Sequence, residues 1–235
     1  MEQFLDTFFS WPNIKDSAPS VIEGFKTNLS LMFVAEAAVL IWGLVLALLR
    51  GTRSRVTAPL RWLTVGYIDL FRAVPGIVLI YMVGFGLPIS GVPFFSDLSQ
   101  YTLAALALTI LYGAYVAEVY RAGIESIHWS QTAAARSLGL SQGKTMRFVV
   151  LPQAVRRVIP PLLNDFIGLQ KDTALIGVIG VLDGFRRAQI YAGQNFNLSS
   201  FTVLAFCYVV ITFPMTRFTD RLLRRDQERL RVGGR

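Results

Sequence analysis

The chain has 235 residues, 53% of them hydrophobic and only 16% charged, with a net charge of +8. So little charge, against roughly 25% in soluble domains, excludes an ordinary soluble protein, and the single cysteine, Cys207, excludes an intrachain disulfide or a cysteine-based metal site. The basic residues gather in links between long apolar runs, which suits anionic lipid on the cytosolic side of a bilayer rather than nucleic acid.

The opening stretch MEQFLDTFFSWPNIKD lacks a basic region leading into an apolar one, so no cleaved signal peptide is expected. Residues 1–28 are assigned to an external N-terminal segment. The first apolar run, 29–49, contains one charge, Glu36. At about 1.5 Å per residue a helix of that length crosses a ~30 Å hydrocarbon core. A second run, 62–87, is interrupted by Asp69, Arg72 and Pro75, and a third, 101–124, carries Glu118 and Arg121 near its end. The fourth, 158–182, is diluted by Asn164, Asp165, Gln170, Lys171 and Asp172, and Pro160-Pro161 is expected to bend its entry. The fifth, 201–218, includes Pro214. The link after the first run holds Arg50, Arg53, Arg55 and Arg61 without an acid, whereas the next holds Asp97 without a base. Basic and base-poor links alternate in this way, which predicts an all-α integral membrane protein of five spans with its N-terminus outside and its C-terminus cytosolic.

The segment AAARSLGLSQGKTMRFVVLPQA, 133–154, stands apart from this pattern. Gly143-Lys144-Thr145 looks like the tail of a phosphate-binding loop, but only three residues separate Gly139 from Gly143 where four are needed, and no strand precedes them. The segment instead has helix grammar, with Ser130 as N-cap, three alanines, and Gly139 where a glycine ends a helix. Ala134, Ala135 and Leu138 fall on one face, with Arg136 to the side. Such a helix suits either a groove in another protein or a resting place on lipid headgroups.

The same residues resemble the cytosolic signature loop of ABC importer permeases, E-A-A-x3-G-x9-I-x-L-P. The matching positions are Ala133, Ala134, Ala135, Gly139, Val149, Leu151 and Pro152. Flanking stretches, AYVAEVYRAGIESI, QAVRRVIPPLLNDFIGLQKDTALIGVIG and YIDLFRAVPGIVLIY, are similar to the polar amino acid branch that takes up histidine, glutamine, glutamate or arginine. The resemblance implies the type I ABC importer permease fold, with a transmembrane domain over 29–223, a cytosolic coupling loop at about 128–153 and a basic cytosolic tail over 224–235. It implies that Ala133, Ala134, Ala135, Arg136, Leu138, Gly139, Leu151 and Pro152 dock on a separate ATPase dimer, which holds the ATP and magnesium. This chain itself then needs no cofactor and no metal. A second permease copy or paralogue, an external solute-binding protein, membrane lipid and a polar amino-acid substrate are the other implied partners, in a bacterial inner membrane. The family's leading glutamate is Ala133 here; Gln131 or Arg136 substitutes for it, or shape alone suffices.

A charge at the bilayer centre costs roughly 2.5–3.5 kcal/mol, so charges inside the runs call for partners or water. Asp69–Arg72 and Glu118–Arg121 are each spaced to pair on their own helix. The candidates for a substrate path are Asp69, Arg72, Glu118, Lys171, Asp172 and Thr173. A Lys171–Asp172 network holding two permeases together is an equal alternative for that pair. His128, Tyr112, Tyr115, Trp42 and Trp62 read as interfacial or packing residues. No nucleophile–base pair or histidine cluster points to an enzyme. The competing function is a five-span channel or secondary carrier independent of ATP, which usually shows paired repeats that are not visible here. A mere scaffold would not need charges inside its spans.

Overall fold

The structure is a computed structural model that describes residues 1–52 and 54–232, with side chains through Arg224. Arg53 and the last part of the basic tail lie outside it. Among the described residues every regular element is helical. Helices α1 (Glu2–Phe9) and α2 (Trp11–Arg50) open the chain, followed by α3 (Ala58–Ala73), α4 (Gly76–Tyr81) with a π-turn over Met82–Gly86, and a short α5 (Pro93–Ser96). Then come α6 (Gln100–Glu125), α7 (Trp129–Ser137) and α8 (Gln142–Thr145), which runs through a second π-turn, Met146–Val150, into α9 (Leu151–Asp172). A 3₁₀ stretch, Thr173–Ile179, leads to α10 (Gly184–Asn195) and α11 (Ser199–Val232).

Helix α2 organises the bundle, packing on α6, α10 and α11. Its buried residues Ser17, Val21, Gly24, Asn28, Leu31, Ala35, Val39, Gly43 and Leu46 recur every three or four positions, the stripe of a helix with one inward face. That stripe runs straight through residue 28. Residues 1–28 form α1 and the first part of α2, so the helix that carries the first apolar run begins at Trp11. Hydropathy falls before residue 29 while the helical period continues, and the period decides. The main core joins Leu31, Leu103, Leu108, Leu169 and Ile176, all fully buried, from α2, α6, α9 and the 3₁₀ stretch. A smaller core of Val21, Phe25, Ala188, Val203 and Leu204 ties the start of α2 to α10 and α11. Phe33, Ile41, Trp62, Leu63, Phe206 and Phe213 point outward, where an apolar surface needs lipid or another chain.

Among the described residues three stretches are long and apolar enough to cross a bilayer: Glu2–Arg50, Gln100–Glu125 and Ser199–Arg224. The second expected run is bent by 108° between Ala58–Ala73 and Gly76–Gly86. Pro75 forces the preceding Val74 into an extended conformation, φ −83° and ψ 131°, and the helix breaks there. The fourth run also differs from expectation. Its helix begins at Leu151, contains Pro160 and Pro161 rather than being entered through them, and stops at Asp172. The turn beyond closes at Gly180 with φ 91°, the left-handed conformation glycine adopts without strain.

Gly24 lets α2 and α10 touch. A Cβ there would lie 2.6 Å from the backbone C and O of Asp183. Backbone cannot swing aside as a side chain can, so Gly24→Ala is expected to destabilise the fold by about 1–3 kcal/mol. A lowered thermal transition in nanodiscs, relative to Gly86→Ala where the space is open, is the check.

Candidate functional site

Two places combine unusual exposure or unusual polarity. The first is α7. Its N-cap is His128, not the expected Ser130: the His128 ring Nδ1 accepts from the Ser130 N–H at 3.3 Å and lies 2.8 Å from the Ser130 hydroxyl. The C-terminus ends as its glycine predicts. Gly139 has φ 84°, its N–H donates to Arg136 O at 3.0 Å, and the Leu140 N–H donates to Ala135 O at 3.2 Å, the paired bonds of a Schellman cap. Only Ala135 of this helix is buried, and the helix packs on the π-turn Met146–Val150. Leu138, at 84% exposure, and Trp129, at 72%, stand out from it. Leu151 is half exposed, and Pro152 opens α9 just after the π-turn, where the Leu151 N–H reaches back to Met146 O. Of the two neighbours considered for the missing glutamate, Arg136 donates to Leu140 O at 3.0 Å, whereas Gln131 is exposed.

The second place is a cavity of about 370 Å³ between the α3–α4 break, α6 and α9. Arg72, Tyr112, Tyr115, Asn164, Asp165 and Asp172 supply its polar side chains. Asp165, Gly168 and Asp172 are spaced i, i+3, i+7 and so share one face of α9. Gly168 leaves room for Tyr112, whose Oη would lie 3.2 Å from a Cβ there. Tyr112 then donates to Asp172 Oδ2 at 2.9 Å. The Arg72 guanidinium lies 5.8 Å from the Tyr115 ring centroid, and the Tyr115 hydroxyl donates to Arg72 O at 3.4 Å.

Residues 40–226 match the family of binding-protein-dependent transport system inner membrane components. The chain belongs to that family. The permease is 34% identical over 220 residues to the glutamine transport system permease protein GlnP of Escherichia coli, covering 92% of this chain and 97% of that one. It is 32% identical over 211 residues to the probable glutamine ABC transporter permease protein GlnM of Bacillus subtilis, covering 89% and 94%. Among solved structures, an amino acid ABC transporter with histidines superposes with a TM-score of 0.80 at 32% identity, over 88% of this chain and 94% of the other. An inward-facing MetNI methionine ABC transporter shares the fold, with a TM-score of 0.69 at 22% identity over 87% and 94%. The fold is that of type I ABC importer permeases, and the chain is a transport component rather than an enzyme.

The permease distributes its six expected path residues unevenly. Arg72 and Asp172 line the cavity, while Asp69, Glu118, Lys171 and Thr173 do not. Lys171 is exposed, about 100° round α9 from Asp172, and is not among its ion-pair partners. Thr173 is buried and donates to Gln170 O at 2.6 Å. Asp69 and Arg72 form no ion pair, although their spacing allows one, because Arg72 turns to Tyr115. Glu118 does pair with Arg121 and also takes Arg50 Nη1 at 2.6 Å, with Arg121 reaching Glu125 as well. These bonds clamp the end of α2 to the end of α6. Glu118→Gln is therefore expected to lower stability by roughly 1.5–3 kcal/mol without changing which substrate is preferred, as a thermal scan beside an uptake panel would show. Sequence reasoning missed Asp165 and took Tyr112 and Tyr115 as packing residues. The i, i+3, i+7 spacing of Asp165, Gly168 and Asp172 was the signal available.

Proposed function

We propose that this permease is the membrane-spanning subunit of an ATP-driven importer for polar amino acids. Helix α7 carries the reading: a nine-residue helix with one buried residue and an exposed leucine at its tip is shaped to enter a groove on another protein. That protein is an ATPase dimer holding ATP and magnesium. Ala133, Ala134, Ala135, Arg136, Leu138 and Gly139 make the contact, with Leu151 and Pro152 fixing the start of α9 behind it. Closure of the ATPases moves α7, and the spans tilt between inward-open and outward-open states.

The spans number five in this proposal: α2, the bent α3–α4 pair, α6, α9 with its 3₁₀ extension, and α11. The N-terminus then lies outside and the basic tail, 224–235, in the cytosol, in the orientation the arginine-rich links favour. One such bundle cannot enclose a path, so a second copy or a paralogue completes it, and an external solute-binding protein delivers the substrate. The relatives named for glutamine and the solved amino acid transporter support the substrate class. The test is uptake of a labelled amino-acid panel, with ATP hydrolysis, in proteoliposomes that contain the chain, its ATPase and its binding protein. ATP-dependent uptake of a polar amino acid is the expected result. Uptake indifferent to ATP would replace the importer with a channel or secondary carrier.

A further inference from the structure

A larger cavity, about 770 Å³, lies where α2 and α6 end and α9 begins. Its floor is α6, which sits close to both neighbours: a Cβ on Gly43 would run into Val116, and one on Gly123 into Val158. Its walls are α2 and α9. These come together further along, where the Phe33 and Phe166 ring centroids are 6.2 Å apart. The gap between them is therefore a wedge, narrow toward the middle of the bundle and open at the helix ends. Leu44, Leu48, Ile124, Val155 and Val158 make it apolar, and Leu48 and Val155 are exposed to whatever surrounds the bundle. From Arg50 to Leu44 it reaches about 9 Å inward, at about 1.5 Å per residue.

The mouth of the wedge is charged. Arg50 and Arg121 line it, and Arg61 reaches it by donating from Nη1 to Thr52 O at 3.3 Å. The acids here are Glu125, also at the mouth, and Glu118, which pairs with Arg50 and Arg121. Three guanidiniums thus meet two carboxylates, and one positive charge is left unbalanced. Among the described residues Arg50 uses only Nη1, on Glu118, out of the five donors of a guanidinium. Trp62, beside Arg61, is exposed, as aromatic side chains at the level of lipid headgroups are. A basic mouth between spans on the cytosolic side suits an anionic headgroup. A small soluble anion would leave the apolar walls unfilled, and a zwitterionic lipid would leave the charge unbalanced. We propose that the wedge is a site for one anionic phospholipid, with its phosphate at Arg50, Arg61 and Arg121 and an acyl chain laid between α2 and α9. Its leaflet is the one that bears the basic links, and calling that leaflet cytosolic rests on the orientation proposed above. Gln142 and Met146 also line the mouth, so the lipid bridges α2 to the segment that follows α7.

The test uses the full-length permease in nanodiscs that carry a trace of phosphatidylglycerol or phosphatidylcholine, each with the same photoactivatable acyl chain. Adducts are mapped by peptide. They are expected within 44–48 and 151–158, with a yield about 5-fold higher for phosphatidylglycerol, the factor for one cation near a membrane surface. Arg61→Gln leaves the Glu118 clamp intact and balances the charges, so it should bring the two probes to near parity. Val155→Trp fills the wedge from an exposed position and should remove the adducts of both. Ile41→Trp, exposed on α2 outside the cavity, should leave them unchanged, while melting curves confirm that each variant is folded. Adducts spread evenly over outward-facing residues, equal yields from the two probes, a preference that survives Arg61→Gln, or adducts that survive Val155→Trp would each overturn the proposal. Orientation is read separately, from labelling of Ser54→Cys in a Cys207→Ser background by a membrane-impermeant reagent on intact cells. Labelling there would overturn the cytosolic placement and leave the mapped wedge standing, whereas failure of the wedge would leave the orientation standing.

Discussion

Leu138→Glu is expected to abolish ATP-driven uptake while leaving the membrane fold intact. The side chain is 84% exposed and α7 buries only Ala135, so nothing in the bundle depends on Leu138. Surface substitutions of this kind usually change stability by less than about 0.5 kcal/mol. A carboxylate at the tip of a helix that enters an apolar groove would instead have to be desolvated there without a partner. Gly139→Trp should have the same effect on uptake for a different reason. With φ at 84°, any side chain strains the turn by about 1–2 kcal/mol, and the cap that directs the chain from α7 toward α8 is weakened. A Cβ at this position meets nothing within 4 Å, so the strain comes from the backbone conformation and not from crowding at the Cβ. ATP hydrolysis, uptake and the thermal transition of the reconstituted complex are measured together. If uptake survives both substitutions, α7 does not transmit the ATPase motion.

Asn28→Ala is expected to be the most destabilising single substitution outside the hydrophobic core. The Asn28 amide is 1% exposed and bridges three elements. Its Nδ2 donates to Thr173 O and to Asp183 Oδ2, both at 2.9 Å, and its Oδ1 accepts from the Gly184 N–H at 2.9 Å. Removing the amide strands a carbonyl, a carboxylate and an N–H at once. Each stranded group costs about 1–3 kcal/mol, and because they share one site the total is not their sum but roughly 3–5 kcal/mol. Asp183 keeps its Arg186 N–H at 2.8 Å, which caps α10, so that helix should survive while its hold on α2 loosens. Thermal unfolding in nanodiscs, together with faster amide exchange in α10 and the 3₁₀ stretch than in α6, would show this. A variant as stable as the parent would mean that Asn28 only fills space.

The membrane class, the helical content and the C-terminal end of α7 were legible in the sequence because each depends on neighbours along the chain. Hydropathy over about twenty residues marks a span, Gly139 marks the end of a helix and Pro75 marks a break. Hydropathy and helical period part company before residue 29, where α2 already runs from Trp11, and at Pro160-Pro161, which lie inside α9. The period follows the packed face, while hydropathy follows only the solvent.

Which charges meet was decided by tertiary structure. Glu118 and Arg121 are close on one helix, but Arg50 joins them from 68 residues away. Tyr112 finds Asp172 across 60 residues, and Asn28 finds Asp183 across 155. A helix period states which side chains share a face, as it does for Asp165 and Asp172, yet it cannot state what that face will meet. The partner depends on how far each helix is turned about its axis and how closely two helices approach, and glycines such as Gly24 and Gly168 set that approach only once the whole bundle has closed.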